Sequence, residues 1–229
     1  MKENVAEYIQ NVFNETVKSY KIILEQYFPS LKKKRFTERN QTFLFAHNYL
    51  KDNNESIIWQ ELPIQFENKN EEGNKKTKSA GHIDTFIIDD KNKSLIFIEA
   101  KCLSKGEIRI KDRLEAIQKD LVRLDDIVTG KINAAKYPKL SVEAEKYTKY
   151  ILILADIWNP GEGSESSKVL SCWDRNKNII WGKDLSRSFR IRCSCEEIAV
   201  GKEVIHEYEG NMIEKKYSYN LLFRLYKSK

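Results

Sequence analysis

Gly81-His82-Ile83-Asp84-Thr85-Phe86-Ile87-Ile88-Asp89, followed five residues later by Leu95-Ile96-Phe97-Ile98-Glu99-Ala100-Lys101, is the stretch that decides the fold. Both runs are rich in Ile and Phe and short enough to be strands, and Asp90-Lys91-Asn92-Lys93-Ser94 between them has turn composition. The pair therefore predicts a hairpin. Side chains alternate along a strand, so Glu99 and Lys101 share one face while Ile98, Ala100 and Cys102 take the other. Pairing the strands brings Asp84 toward that charged face. Two carboxylates and an ammonium then surround a space suited to one divalent cation and one water.

That chemistry suits these residue types. Magnesium prefers oxygen ligands and in phosphate chemistry is held by one or two carboxylates plus oxygens of the substrate. Asp84 and Glu99 supply the carboxylates, and the backbone carbonyl of Ala100 supplies a third oxygen whatever its side chain. Lys101 is placed to hydrogen-bond the attacking water and to offset charge developing on phosphorus. An acid in a strand, or a Glu-x-Lys pair, is a common surface feature. Here the charges interrupt otherwise apolar runs, Thr85 to Ile88 and Leu95 to Ile98, where an unpaired ion is costly.

The arrangement resembles the PD-(D/E)XK nuclease superfamily. Asp84 corresponds to its first acid, and Glu99-Ala100-Lys101 to its (D/E)-x-K. The resemblance spans residues 36 to 158 and implies an α/β, restriction-endonuclease-like αβββαβ core with a mixed central sheet. The coarse reading gives that order: a helix from Phe36 to Leu50, strands over Ile57 to Phe66, His82 to Asp89 and Leu95 to Leu103, a long helix from Ile108 to Val128, and a strand from Tyr150 to Trp158. Ile83 stands where the family's proline would be. Gln118 is present, but Val122 replaces the tyrosine of an exonuclease-type Gln-x-x-x-Tyr pair.

The resemblance implies a Mg2+-dependent deoxyribonuclease, with Mn2+ able to substitute, and an endonuclease rather than an exonuclease, of restriction-modification or phage-defence type. DNA is the implied partner. Asp84, Glu99 and the Ala100 carbonyl would hold the metal, and Lys101 would position water. The family often adds an acid from the preceding helix, which makes Glu38 the candidate third acid; Glu61, in the first strand, competes for the role. Gln118 joins the catalytic candidates, and Arg113 the phosphate-binding ones. The alternative is a nuclease fold that binds nucleic acid or a protein without cutting.

Charge and composition agree with a polyanionic partner without requiring one. The chain of 229 residues carries a formal charge of +6, and its pI is near 8.9. Lys75, Lys76 and Lys78 lie in a polar stretch leading into the Asp84 strand, near the expected scissile phosphate. His82, two residues before Asp84, shares its strand face and is a further phosphate candidate. No apolar run is long enough to cross a bilayer, so a cytoplasmic protein without membrane association is expected. Cys102, Cys172, Cys193 and Cys195 are too irregular for a disulfide framework, and Cys193-x-Cys195 lacks the second pair of a zinc or iron–sulfur site.

A single domain is expected, with the core over residues 36–158 between two flanks. From Asn4 to Phe28, Val5, Tyr8, Ile9, Val12, Phe13, Val17, Tyr20, Ile23 and Leu24 recur at helical spacing, predicting a long amphipathic N-terminal helix. Its stripe reads as core, with a homodimer contact as the alternative use. Residues 159–167 read as loop. The C-terminal extension, residues 169–229, reads as an added strand-rich layer built on segments near Ile179, Phe189 and Tyr217 to Tyr226, with Arg187, Arg190 and Arg192 as nucleic-acid contacts.

Overall fold

The computed structural model describes residues 4–26, 37–68, 77–103, 110–129, 144–173, 179–180, 188–189, 191, 193–209 and 216–229. In chain order the elements are α1 (Val5–Gln26), α2 (Glu38–Asp52), β1 (Ile57–Asn68), β2 (Thr77–Asp89), β3 (Ser94–Cys102), α3 (Ile110–Val128), a 3-10 turn (Ala144–Lys146), β4 (Thr148–Asn159), α4 (Glu165–Trp173), β5 (Ile179–Ile180), β6 (Ser188–Phe189), β7 (Glu196–Glu209) and β8 (Lys216–Lys227). Six strands form one mixed sheet in the order β1-β2-β3-β4-β8-β7, and β5 and β6 make a separate small ribbon. Among the described strands only β3 and β4 run parallel, and α3 lies in the connection between them. A parallel pair needs such a crossover.

Helices cover both faces, which is why the central strands are apolar on both sides. On one face Leu95 and Phe97 of β3 and Ile151, Ile153 and Ala155 of β4 pack with Leu114, Ile117, Leu121 and Leu124 of α3 and with Val169 and Trp173 of α4. On the other, Ile96, Ile98, Leu152, Leu154, Leu221 and Phe223 meet Tyr8, Ile9, Phe13, Tyr20, Phe45 and Tyr49 of α1 and α2. Each aliphatic side chain so buried contributes about 1.5–3 kcal/mol. The stripe of α1 is core, as expected, with Tyr8, Ile9, Val12, Phe13, Val17, Tyr20 and Leu24 buried.

The C-terminal third departs from expectation. Rather than forming a layer of its own, β8 pairs with β4 and β7 pairs with β8, so both extend the central sheet. Glu196–Glu209 was not expected as a strand because irregularities between Glu197 and Ala199 and between Val204 and His206 break its alternation: it is an edge strand with Val204 exposed. Gly201 is required there, since a Cβ would collide with the buried Phe223 ring. Residues 165–167, expected as loop, begin α4, and the Ser164 hydroxyl accepts a hydrogen bond from the Ser167 amide (3.1 Å), an N-terminal cap. Of the arginines expected there to contact nucleic acid, Arg187, Arg190 and Arg192 lie outside the described residues. No helix among the described residues is long and apolar enough to cross a membrane.

Helix α2 straps across the β2–β3 hairpin and so fixes where its first turn lies. Thr37 is its N-cap, accepting from the Asn40 amide at 3.3 Å. Near its far end the Tyr49 hydroxyl donates to Asp89 at 2.6 Å. At its start Glu38 accepts from the Cys102 amide at 3.2 Å, and Gln41 donates to the Cys102 sulfur at 3.5 Å.

Candidate active site

The β2–β3 ladder runs from Asp89↔Ser94 to Thr85↔Ile98 and stops one residue short of Asp84. There the Asp84 side chain takes over from the backbone: its Oδ2 accepts the Ala100 amide at 2.8 Å. The other ladder on β2 is interrupted at the same place. β1 pairs regularly on both sides, but Glu61, which would face Asp84, is left out of the register and has φ 55°. A left-handed non-glycine residue inside a strand is a local strain of roughly 1–3 kcal/mol. Asp84 thus sits where the hairpin parts.

Glu99 and Lys101 project from β3 on the α3 side, on the face that carries Leu95 and Phe97, while Ile98 and Ala100 face α1 and α2. Helix α3 closes the site from above. Lys101 Nζ lies 2.8 Å from Asp120 Oδ2 and 3.7 Å from Glu99 Oε2. Arg123 Nη2 hydrogen-bonds Glu99 Oε1 and lies 3.2 Å from Asp120 Oδ1. Glu38 enters from α2, with Arg113 at 4.0 Å. Four acids and three cations are gathered here, although Glu99 is only 2% exposed.

The electrostatics follow from that crowding. Burial first, then the charges of Asp84 and Asp120, push Glu99 up to about 8 against the pull of Arg123 and Lys101. Burial also raises Asp84, opposed by the Ala100 amide and Lys101 and reinforced by Glu38 and Asp120. Burial works against the Lys101 ammonium, but Asp120, Glu99 and Asp84 outweigh it and lift its pKa above the ordinary lysine value. The lysine stays charged. The two strand acids are the groups that burial and mutual repulsion shift toward their neutral forms.

Of the residues singled out in the sequence, Asp84, Glu99, Lys101, Ala100, Glu38 and Arg113 come together. Glu61 does not join them; its carboxylate pairs with exposed Arg39 at 3.2 Å. Gln118 is half-buried on α3, about 200° around the helix from Asp120, so it does not share the face that carries Asp120. His82 is exposed on β2, opposite Pro63. Lys75 and Lys76 lie outside the described residues, and only the backbone of Lys78, opposite Glu67, is described. Two participants were not singled out from the sequence: Asp120 and Arg123. Their signal was present, since Arg113, Asp120 and Arg123 recur at spacings of seven and three and lie on one face beside the Leu114-Ile117-Leu121-Leu124 stripe.

A divalent cation fits this donor set. All the acidic donors are hard oxygens, and burial together with repulsion from neighbouring carboxylates shifts Asp84 and Glu99 toward their neutral forms. Among the described residues the chain is an α/β protein with a mixed six-stranded sheet and four α-helices, the first of them the long N-terminal helix. Comparison with known protein families, with curated proteins and with solved structures finds no significant match to it.

Proposed function

We propose that this protein is a Mg2+-dependent nuclease that hydrolyses DNA phosphodiester bonds, an endonuclease of the restriction or phage-defence kind on a restriction-endonuclease-like core. The observation that carries the reading is the convergence of Asp84, Glu99 and Lys101 at the point where β2 leaves β3, with Glu38 arriving from the preceding helix. The order helix, three strands, helix, strand over residues 38–159 supports it. Asp84, Glu99 and the Ala100 carbonyl would hold the cation, and Glu38 would complete the set directly or through water. Bound Mg2+ supplies Lewis acidity to the scissile phosphate and acidifies water; Mn2+ offers the same chemistry.

The chain's own groups do the rest. Lys101 Nζ, held by Asp120 Oδ2, directs a donor N–H at the attacking water or a non-bridging phosphate oxygen and faces the negative charge that builds there. In-line attack by water, which gives up a proton to solvent, forms the new P–O bond and breaks the bond to the 3′ oxygen, which takes up a proton from solvent. Arg123, bound to both Glu99 and Asp120, fixes the rotamers of the acids before the cation arrives. Lys75, Lys76, Lys78, His82 and Arg113 are assigned to the DNA backbone.

The test is incubation of the purified protein with supercoiled plasmid, linear duplex and single strands in Mg2+, Mn2+ or chelator. Cleavage is expected with either cation and none with chelator, and Asp84→Ala and Lys101→Ala are expected to abolish it while circular dichroism and melting stay near wild type. Undiminished cutting by either variant overturns the assignment. One observation favours a second reading, a nuclease fold that binds without cutting: the Arg123 guanidinium already neutralises Glu99. Retained DNA affinity with no Mg2+ or Mn2+ heat in calorimetric titration would decide for it.

A further inference from the structure

Away from that site, α3 carries a second chemistry-bearing group on its last turns. Asp125, two residues beyond Arg123, is buried, and its Oδ1 is met by two thiols from the segment that enters β7: Cys195 Sγ at 3.0 Å and Cys193 Sγ at 3.7 Å. The three ligand atoms all lie within 4.8 Å of one another. All four cysteines are free. Around a tetrahedral zinc ion, with bonds of about 2.0 Å to oxygen and 2.3 Å to sulfur, an oxygen and a sulfur ligand stand about 3.5 Å apart. The observed separations bracket that figure.

We infer that Asp125, Cys193 and Cys195 form a binding site for a thiophilic divalent cation of the Zn2+ class, separate from the hydrolytic site and structural in its effect. The sequence offered only Cys193-x-Cys195; the missing donor comes from α3, sixty-eight residues earlier in the chain. A carboxylate used as a ligand has its second oxygen held by a neighbouring donor, and here the Ser194 hydroxyl donates to Asp125 Oδ2, turning Oδ1 toward the thiols. Two thiolates select a soft or borderline cation over Mg2+. Binding replaces two S–H bonds by two metal–sulfur bonds and releases two protons to solvent, with no change of oxidation state. Water fills the fourth position. The ion would clip the end of α3 to the entry of β7, holding the helix that carries Asp120 and Arg123 against the sheet.

Cadmium is the probe that separates this site from the carboxylates around Asp84, because thiolate-to-cadmium charge transfer absorbs in the ultraviolet and carboxylate ligation does not. Titration of the reduced protein is expected to give one charge-transfer-active Cd2+ per chain, undisturbed by excess Mg2+, retained in Asp84→Ala and Cys172→Ser, and lost in the Cys193→Ser, Cys195→Ser double variant. Zn2+ at about a hundredfold excess over its Kd is expected to raise Tm by roughly 5–10 °C. Absence of the band, or its survival in the double variant, overturns the inference. Should the double variant fail to fold, alkylation of the wild-type chain decides. Zn2+ is expected to protect the peptide containing Cys193 and Cys195, and equal labelling with and without Zn2+ overturns it.

Discussion

The two ends of the β2–β3 hairpin each bury a carboxylate, and they treat it in opposite ways. At the turn, Asp89 is 1% exposed and fully served: the Tyr49 hydroxyl donates at 2.6 Å, the Asn92 amide at 2.9 Å and the Asn92 side chain at 2.8 Å. Burial alone would raise its pKa, but those hydrogen bonds outweigh it and leave Asp89 below the ordinary 3.8. At the open end, Glu99 is pushed up to about 8, with Asp84 raised beside it. Asp89 and Glu99 are both hidden from solvent, but Glu99 lies deeper within the protein and faces the carboxylates of Asp84 and Asp120, whereas Asp89 faces donors. A carboxylate whose charge is satisfied by fixed dipoles holds a fold together, whereas one buried among other carboxylates is a place for a cation.

The largest expected effect separates the two ends by function. Asp84→Ala is expected to reduce metal-dependent DNA cleavage by about a thousandfold or more, equivalent to roughly 4 kcal/mol of barrier, while changing thermal stability little, because removing an acid from a crowded set offsets the lost acceptor of the Ala100 amide. Asp89→Ala is the reverse. It leaves the buried Tyr49 hydroxyl and the Asn92 amides without their acceptor, and a loss of about 2–4 kcal/mol in urea unfolding is expected with cleavage per folded molecule unchanged. If Asp84→Ala proved the more destabilising and Asp89→Ala the less active, the division between the ends would be wrong.

The two ends should also oppose each other in pH. An acid with a raised pKa binds more protons in the folded chain than in the unfolded one between its ordinary and folded values. The contribution of Glu99 is thus complete below about 4.5 and is lost as pH rises through about 8. Asp89, depressed in the fold, contributes above 3.8, and that contribution is lost as pH falls through its lowered pKa. Chelated protein is expected to lose stability from pH 5 to 8 in urea melts, and Mg2+ to offset the loss. Glu99→Gln should flatten this limb, with a gain of about 2 kcal/mol at pH 8. It should leave the acid limb in place. A chelated wild type whose stability rises steadily over that interval would refute the assignment of Glu99.

How much of this was legible in the sequence depends on range. Alternation alone placed Glu99 and Lys101 on one face and Ala100 on the other, and the long helices and β1 to β4 followed from local periodicity. Long-range pairings were not legible. β7 is an edge strand with half-polar composition, and its place beside β8 is set by register. Glu61 competed with Glu38, the candidate third acid, until the fold sent Glu38 to the Cys102 amide and Glu61 to Arg39. The left-handed backbone at Glu61 has no sequence signal, since glycine would be its ordinary mark. Asp125 could not have been joined to Cys193 and Cys195 without the fold.

The smallest effect concerns Asp120, which touches neither strand acid directly and acts through Lys101. Its carboxylate lies 2.8 Å from the ammonium and is foremost among the charges that lift the lysine's pKa against burial. Asp120→Asn removes that charge but keeps a hydrogen-bond acceptor at the same place, so the lysine stays oriented while its pKa falls. The expected result is a drop in cleavage of about tenfold, some 1.4 kcal/mol, with the alkaline limb of the rate profile moved to lower pH and DNA affinity unchanged. Asp120→Glu should restore most of the limb. A purely structural role predicts something else: lower stability and an unshifted profile. The substitution also removes one of Arg123's two acid partners, leaving Glu99 the other. That redistribution draws the guanidinium toward the strand acid, so Asp120→Asn should require more Mg2+ for half-maximal cleavage. An unchanged requirement would mean that Arg123 and the cation do not compete for Glu99.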